Sequence, residues 1–225
     1  MMARVCSITW LLGMLPMAVM AAGNTRSELD AVFRSKADAA RGEELFTQCS
    51  GCHGADGNGD TRGSTPRIAG QHYRVIAKQL VDFRFGKRWD FQMEGMADKH
   101  HLQDAQDIAD VSVYVAGLMR PGTRGIGSGE FAEEGGRLYD ARCQGCHGPE
   151  ANGDSSKGIP RLAGQHYSYL VRQMYDAVDG RRLTLPRLHS QRIEPLDFEQ
   201  VRALADYLAR IGWSADQAKT NPEGQ

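Results

Sequence analysis

The sequence predicts an all-α protein built from two tandem domains of about ninety residues each. The 225-residue chain repeats itself, because residues 49–88 align with residues 143–182 at a constant offset of 94, with nineteen of the forty aligned positions identical. A period near 94 corresponds to one small domain rather than to a solenoid repeat. Apolar residues recur at helical spacing in each half, and no segment alternates with the period of two expected of a half-buried strand.

The N-terminus has the pattern of a signal peptide over residues 1–21. Arg4 is the charged region, Ile8–Val19 the apolar region, and small residues at the end give cleavage near Ala21. A short buried helix is the alternative interpretation. The signal peptide implies export to the periplasm, with four of the five cysteines left in the mature chain.

The predicted helices follow the same order in both domains. The first domain covers residues 28–120 and begins with a predicted helix around residues 42–48. A second helix is predicted from the apolar positions Ile76, Leu80 and Phe83, and a final helix from Ile108, Val111, Val115 and Leu118. The second domain covers residues 130–213 and begins with a predicted helix around residues 135–142. Its second helix is predicted from Leu170, Met174 and Val178, and its final helix from Val201, Leu204, Leu208 and Ile211. Glycine-rich loops cover 54–63 and 148–158, residues 121–129 form a linker, and residues 214–225 a frayed tail.

The four remaining cysteines form two C-x-x-C-H motifs, which contain Cys49, Cys52 and His53 in the first domain and Cys143, Cys146 and His147 in the second. This is the attachment pattern of c-type haem. Two thiols bond to the vinyl groups on one porphyrin edge, and the next residue, histidine, is held where its imidazole can ligate iron. The sequence therefore predicts two covalently bound haems c, with His53 and His147 as iron ligands.

Three other interpretations of the cysteines are weaker. Two disulfides or a zinc site would give no reason for a histidine to follow the second cysteine both times. A thioredoxin-like redox motif expects a βαβ setting, and no strand–helix alternation is visible. The doubled motif with its histidine favours haem.

The distal iron ligands should lie between residues 89 and 107 and in the equivalent segment of the second domain. The final helices align at an offset of 93 instead of 94, so one residue is missing from this segment of the second domain. If the gap precedes the ligand, the register anchored on these helices pairs Met96 with His189, which favours Met96 over Met93; if the gap follows the ligand, Gly95 pairs with His189. The second segment holds no methionine, which leaves His189 as its candidate. The alternatives are a core methionine and a surface imidazole.

Other repeated residues suggest supporting roles. Pro66 and Pro160 follow their haem motifs by the same interval and can offer a backbone acceptor to the proximal imidazole. Arg67 and Arg161 are either partners of haem propionates or solvated charges. The repeated histidines, His72 and His166, are expected near the haem edge or the domain contact. Met174 lies on an apolar helix stripe, which indicates core packing.

These motifs, each followed by P-R-[IL]-A-G-Q-H-Y and a helix, resemble the dihaem cytochrome c4 family over about residues 29–213. The resemblance implies two class I cytochrome c folds packed face to face, each wrapped around one haem, with the propionate edges close together. It implies Met96 as a ligand in the first domain. The departure is His189, because the family usually has methionine at that position.

The resemblance implies a periplasmic carrier, free or peripherally associated with the membrane. It would pass single electrons from a quinol-oxidising complex or dehydrogenase to a terminal oxidase or reductase. The alternatives are a dihaem oxidoreductase acting on a small sulfur compound at an open second haem, or a cytochrome subunit of such a dehydrogenase. The formal net charge of −1, from 27 basic and 28 acidic residues, gives no field that would hold nucleic acid.

Overall fold

The computed structural model describes residues 17–60, 62–63, 65–120 and 125–212, with side chains from Thr25 onwards. The start of the predicted signal peptide and the predicted tail lie outside these residues. Within them the protein is helical, and the only extended pairings are two isolated bridges, Arg88 with Arg182 and Asp154 with Ile159. No helix in the described part of the chain is long and apolar enough to span a membrane.

The all-α prediction is confirmed. The helices of the two halves follow the same order, except that the first half has an additional N-terminal helix and the motif helix is divided in two in the second half. The first half contains α1 (Met17–Arg34), α2 (Ala39–His53), α3 (Tyr73–Arg84), α4 (Phe91–Met96) and α5 (Ala105–Gly117). The second half contains α6 (Ala132–Arg142), α7 (Gln144–His147), α8 (Tyr167–Val178), α9 (Arg187–Ile193) and α10 (Phe198–Arg210). Helix α1 extends across the predicted cleavage point near Ala21, and the short helices α4 and α9 lie in segments for which no helix was predicted.

Aspartates begin several of these helices. Asp38 accepts hydrogen bonds from two backbone N–H groups at the start of α2, and Asp104 does the same for α5. Asp197 forms a capping box with Gln200 at the start of α10. Such caps satisfy backbone donors that have no partner inside the helix.

Each half has its own hydrophobic core around one close helix crossing. In the first half α2 crosses α5, and in the second α6 crosses α10, each at a glycine. A Cβ on Gly42 would lie 2.1 Å from the carbonyl oxygen of Asp110, and one on Gly135 would lie 2.0 Å from that of Ala203. Only glycine allows this approach, which holds the helix carrying or preceding each C-x-x-C-H motif against the final helix of its domain.

The crossing is filled by one aromatic pair in each domain. The rings of Phe46 and Tyr114 are 5.4 Å apart in the first domain, and those of Tyr139 and Tyr207 are 5.6 Å apart in the second. Met174 is buried in the second core, as its position on the helix stripe predicted.

The two domains pack through reciprocal contacts between equivalent residues. Gln165 hydrogen-bonds the backbone of Arg67, and Gln71 hydrogen-bonds the backbone of Arg161 in the same way. The Lys78 ammonium donates to the Thr184 hydroxyl, whose own proton is donated to Asp82. The interface is therefore polar and approximately twofold symmetric.

Candidate haem sites

The cysteines of the first motif lie in one continuous helix, whereas those of the second motif lie at and after a break between two helices. Cys49 and Cys52 are in the last turns of α2, whereas Cys143 precedes α7 and Cys146 lies within it. No disulfide joins any of the four. Burial raises the pKa of both Cys49 and Cys143 to about 11, while Cys52 and Cys146 are exposed. Each motif thus presents one sheltered and one exposed thiol.

The histidine that ends each motif is buried and held by a backbone carbonyl. Nδ1 of His53 lies 3.1 Å from the Pro66 oxygen, and Nδ1 of His147 lies 3.0 Å from the Pro160 oxygen. A carbonyl oxygen only accepts, so Nδ1 carries the proton and Nε2 keeps its lone pair for a metal. Burial lowers the pKa of both imidazoles, which favours the neutral form that binds iron. The predicted acceptor role of Pro66 and Pro160 is confirmed.

The chain turns sharply after each of these histidines. Gly54 and Gly148 end their helices with φ of 76° and 78°, a backbone conformation that favours glycine. The turns let Gly59 and Gly153 donate hydrogen bonds to the backbone carbonyls of His53 and His147, respectively. The loop therefore closes over the motif and brings the prolines to the imidazoles.

In the second domain His189, on α9, faces His147. The two ring centroids are 6.4 Å apart and the ring planes are inclined by 62°. A metal bound to one nitrogen of each ring at about 2.0 Å would hold the centroids roughly 6 Å apart. Nδ1 of His189 is buried and has no hydrogen-bond partner in the part of the chain that the structure describes. Burial, followed by the charges of Arg182 and His147, lowers the pKa of His189 to about 4. The pair fits an iron between two neutral imidazoles.

In the first domain both candidate methionines lie on α4 and are half-buried. Met93 is the third residue of α4, as His189 is the third residue of α9, whereas Met96 is the last residue of α4. Asp90, which caps α4 and accepts a hydrogen bond from Met93 N–H, acts electrostatically on His53. The shared position on the two helices favours Met93 as the distal ligand, where the sequence register favoured Met96.

Three arginines, Arg67, Arg120 and Arg161, lie at the contact between the domains. Arg67 is 5% exposed, so it is not the solvated charge that was one of its two interpretations. Its guanidinium donates to the Gly164 carbonyl, that of Arg161 to Gly70, and that of Arg120 to Ala163. Burial, together with the charges of Arg161 and Arg67, lowers the pKa of Arg120 to about 10.

This arginine cluster has room for anions. The Nε groups of Arg120 and Arg161 are buried without a hydrogen-bond partner among the described residues. A buried donor without a partner costs free energy unless an acceptor reaches it. Carboxylates such as the propionates of a haem supply such acceptors and compensate the positive charge, so the residues present fit that group.

His72 and His166 lie at the domain contact. Nε2 of His166 donates to the Asn58 carbonyl at 2.6 Å, and Nε2 of His72 donates to the Asn152 carbonyl at 2.8 Å. This is one of the two positions expected for them. Sequence reasoning missed Gln71, Gln165 and Arg120, although both glutamines belong to the repeated G-Q-H-Y segment. The described residues contain no group of three or more histidines, cysteines or acids arranged to hold a metal ion.

The helical fold, the paired thiols and the proximal imidazoles define a tandem class I c-type cytochrome. The sequence profile of the family "Cytochrome c" matches residues 39–119 and 132–211. The chain is 37% identical over 153 residues to cytochrome c4 of Pseudomonas aeruginosa, which covers 64% of this chain and 73% of that protein. The chain belongs to the dihaem cytochrome c4 family of cytochromes c, and it carries two covalently bound haems c.

Other relatives include proteins linked to sulfur chemistry. A thiosulfate dehydrogenase electron acceptor from Stutzerimonas stutzeri is 32% identical over 196 residues, covering 79% of this chain and 89% of that protein. The crystal structure of reduced recombinant cytochrome c4 from Pseudomonas stutzeri superposes with a TM-score of 0.69 at 29% identity, covering 78% of this chain and 99% of that one. A thiosulfate dehydrogenase from Marichromatium purpuratum superposes with a TM-score of 0.67 at 35% identity, covering 76% of this chain and 39% of that one. The cytochrome c4 relatives show that the chain is a dihaem electron-transfer cytochrome.

Proposed function

We propose that this protein is a periplasmic single-electron carrier in which both irons are six-coordinate and closed to substrate. The observation that carries the proposal is the facing pair of the buried His147 and the half-buried His189, whose ring centroids are 6.4 Å apart. An imidazole on each side of an iron leaves no position for a substrate to bind. The signal-peptide pattern of residues 1–21 supports export to the periplasm.

The haems supply reversible exchange of one electron each, and the chain supplies their ligands and surroundings. The thiols of each motif fix the cofactor covalently, and the proline carbonyls orient the proximal imidazoles through Nδ1. The buried Nε groups of Arg120 and Arg161 between the domains offer donors to the propionates. The partners of such a carrier are redox proteins that deliver or remove single electrons.

For the first haem we propose Met93 as the distal ligand. Its place as third residue of α4, equivalent to that of His189 in α9, supports this assignment. Met96 is the assignment that the sequence register favours, and variants of the two residues separate the registers.

The two haems then differ in potential, with the second lower. Thioether ligation favours reduced iron relative to a second imidazole and raises the potential. The haem held by His189 should therefore hold its electron less tightly than the one held by methionine. Electrons would enter at one domain and leave at the other, which gives transfer a direction within the molecule.

A more specific candidate is that the donor is a thiosulfate dehydrogenase. The relative named as an electron acceptor of that enzyme, which aligns over 79% of this chain, favours this donor. The third candidate, oxidation of a sulfur compound at an open second haem, requires His189 to leave the iron.

Addition of thiosulfate to the oxidised holo-protein distinguishes these candidates. A carrier stays oxidised with thiosulfate alone and is reduced once a thiosulfate dehydrogenase is added in catalytic amount. Reduction by thiosulfate alone, together with a high-spin ferric signal from the second haem, would establish the enzyme and contradict the carrier. Reduction by quinol-oxidising complexes, but not through the dehydrogenase, would keep the carrier and exclude this donor.

A further inference from the structure

Each proximal histidine donates a hydrogen bond to a backbone peptide group, and a side chain of the opposite domain is hydrogen-bonded to the same peptide group. In the first domain this is the peptide joining Pro66 and Arg67. Its carbonyl accepts the Nδ1 proton of His53 at 3.1 Å, and its N–H donates to Oε1 of Gln165 at 3.0 Å. One planar unit thus lies between the ligand of the first haem and a side chain of the second domain.

The same arrangement occurs in the other direction. The peptide joining Pro160 and Arg161 accepts from Nδ1 of His147 at 3.0 Å and donates to Oε1 of Gln71 at 3.0 Å. Because the two glutamines are equivalent residues of the repeat, the linkage is a property of the domain interface and not of one domain.

Both glutamines are fixed in the orientation that this linkage needs. Oε1 of Gln165 also accepts from the N–H of His166 at 2.9 Å, and its Nε2 donates to the Arg67 carbonyl at 2.7 Å. Gln71 makes the equivalent bonds to its own neighbour and to the Arg161 carbonyl. Gln165 is 8% exposed, so water competes little for these bonds. If the side-chain amide were flipped, its NH₂ group would point at the backbone N–H groups and its oxygen at the carbonyl, and these hydrogen bonds would be lost.

We propose that Gln71 and Gln165 are positioning residues through which each domain tunes the proximal ligand of the other domain's haem. This inference rests on the proposed electron-transfer function. Hydrogen bonds in a chain polarise one another, so an acceptor on the peptide N–H makes the peptide oxygen a stronger acceptor. A stronger acceptor at Nδ1 makes the imidazole a better donor to the metal and stabilises ferric iron.

The direction of the effect follows. Without Gln165 the Pro66 oxygen is a weaker acceptor, His53 donates less to its iron, and the potential of the first haem rises. Without Gln71 the potential of the second haem rises instead. The signature is therefore crossed, because each substitution shifts the haem of the domain that does not contain it.

The experiment uses the full-length holo-protein with Gln165→Met and Gln71→Met, which keep the side-chain length and remove both hydrogen-bonding groups. Each redox step is measured by spectroscopic titration, and the Nδ1 proton resonances of the proximal imidazoles are followed by NMR in the reduced protein. Gln165→Met should raise the step of the first haem and move the His53 resonance. Gln71→Met should raise the step of the second haem and move the His147 resonance.

Thr184→Val is the matched control. It removes the hydrogen bonds of Thr184 to Lys78 and Asp82 across the same interface and touches neither proline peptide. It should leave both potentials and both resonances unchanged. If either glutamine variant fails to fold, the other still tests the crossed signature on its own haem.

The proposal is overturned if the folded glutamine variants move neither step, move only the haem of their own domain, or move the steps no more than Thr184→Val does. These outcomes leave the carrier function intact. A wild-type protein without two reversible one-electron steps would instead refute the proposed function itself.

Discussion

Substitution of Gly135 by alanine should destabilise the second domain more than any other single methyl group added to α6. The new Cβ would lie 2.0 Å from the carbonyl oxygen of Ala203, 2.6 Å from its carbon and 2.8 Å from Cβ of Tyr207. Two of these atoms belong to the backbone of α10 and cannot rotate away. An ordinary carbon–oxygen contact of about 3.3 Å requires the helices to separate by about 1.3 Å.

That separation disrupts the core beneath the crossing, where Tyr139, Leu204 and Leu208 are each at most 2% exposed. Overpacking of a filled core costs about 1–3 kcal/mol, and a clash with backbone belongs at the upper end, about 3 kcal/mol. The higher helix propensity of alanine offsets about 1 kcal/mol of this, which leaves a net loss of about 2 kcal/mol. For a domain of this size that corresponds to a fall in Tm on the order of 10 °C. Thermal unfolding of the holo-protein, followed by circular dichroism and by the haem absorption, measures it.

Gly136→Ala is the control, since it lies next along the same helix and its Cβ would meet only the edge of the Tyr207 ring, at 3.2 Å. A ring can shift, and alanine gains about 1 kcal/mol of helix propensity over glycine. We expect this variant to match the wild type within about 1 kcal/mol. Equal stability of the Gly135→Ala protein and the wild type, or equal losses in the two variants, would refute the account of the crossing.

Three further predictions concern the haems. Denaturing mass spectrometry of protein from a host with working haem attachment should find the mass of two haems added to the mature chain, and the addition of one would contradict this. His189→Met should raise the lower of the two redox steps, whereas an unchanged titration would make His189 a surface residue. The weak near-infrared band of methionine-ligated ferric haem should vanish in Met93→Ala and persist in Met96→Ala; the reverse result would restore the sequence register.

Sequence alone predicted the parts of this protein that depend on short spacings. The C-x-x-C-H motifs and the amphipathic helices α3, α5, α8 and α10 are defined within one or two helical turns, and their periodicity survives in the fold. The proline carbonyls could be assigned for the same reason, because Pro66 lies only thirteen residues after His53.

The remainder depends on contacts between distant residues. Helices α4 and α9 have six and seven residues, too few for a clear apolar period, so their register could not be read from the sequence. For this reason the sequence favours Met96 as the distal ligand of the first haem, whereas the position of the helix starts favours Met93. Gln165 contacts a peptide 98 residues away, and no local pattern distinguishes such a glutamine from an exposed one.

The central claim is that two closed haems of unequal potential work as one carrier, with His147 and His189 on the lower one. A spectroscopic redox titration of the purified holo-protein, with the ferric spin state recorded at each stage, tests it most directly. The account predicts two resolved one-electron steps, low-spin iron in both domains, and the methionine-ligated haem reduced first. A high-spin second haem, or two overlapping steps that His189→Met leaves unchanged, would contradict it.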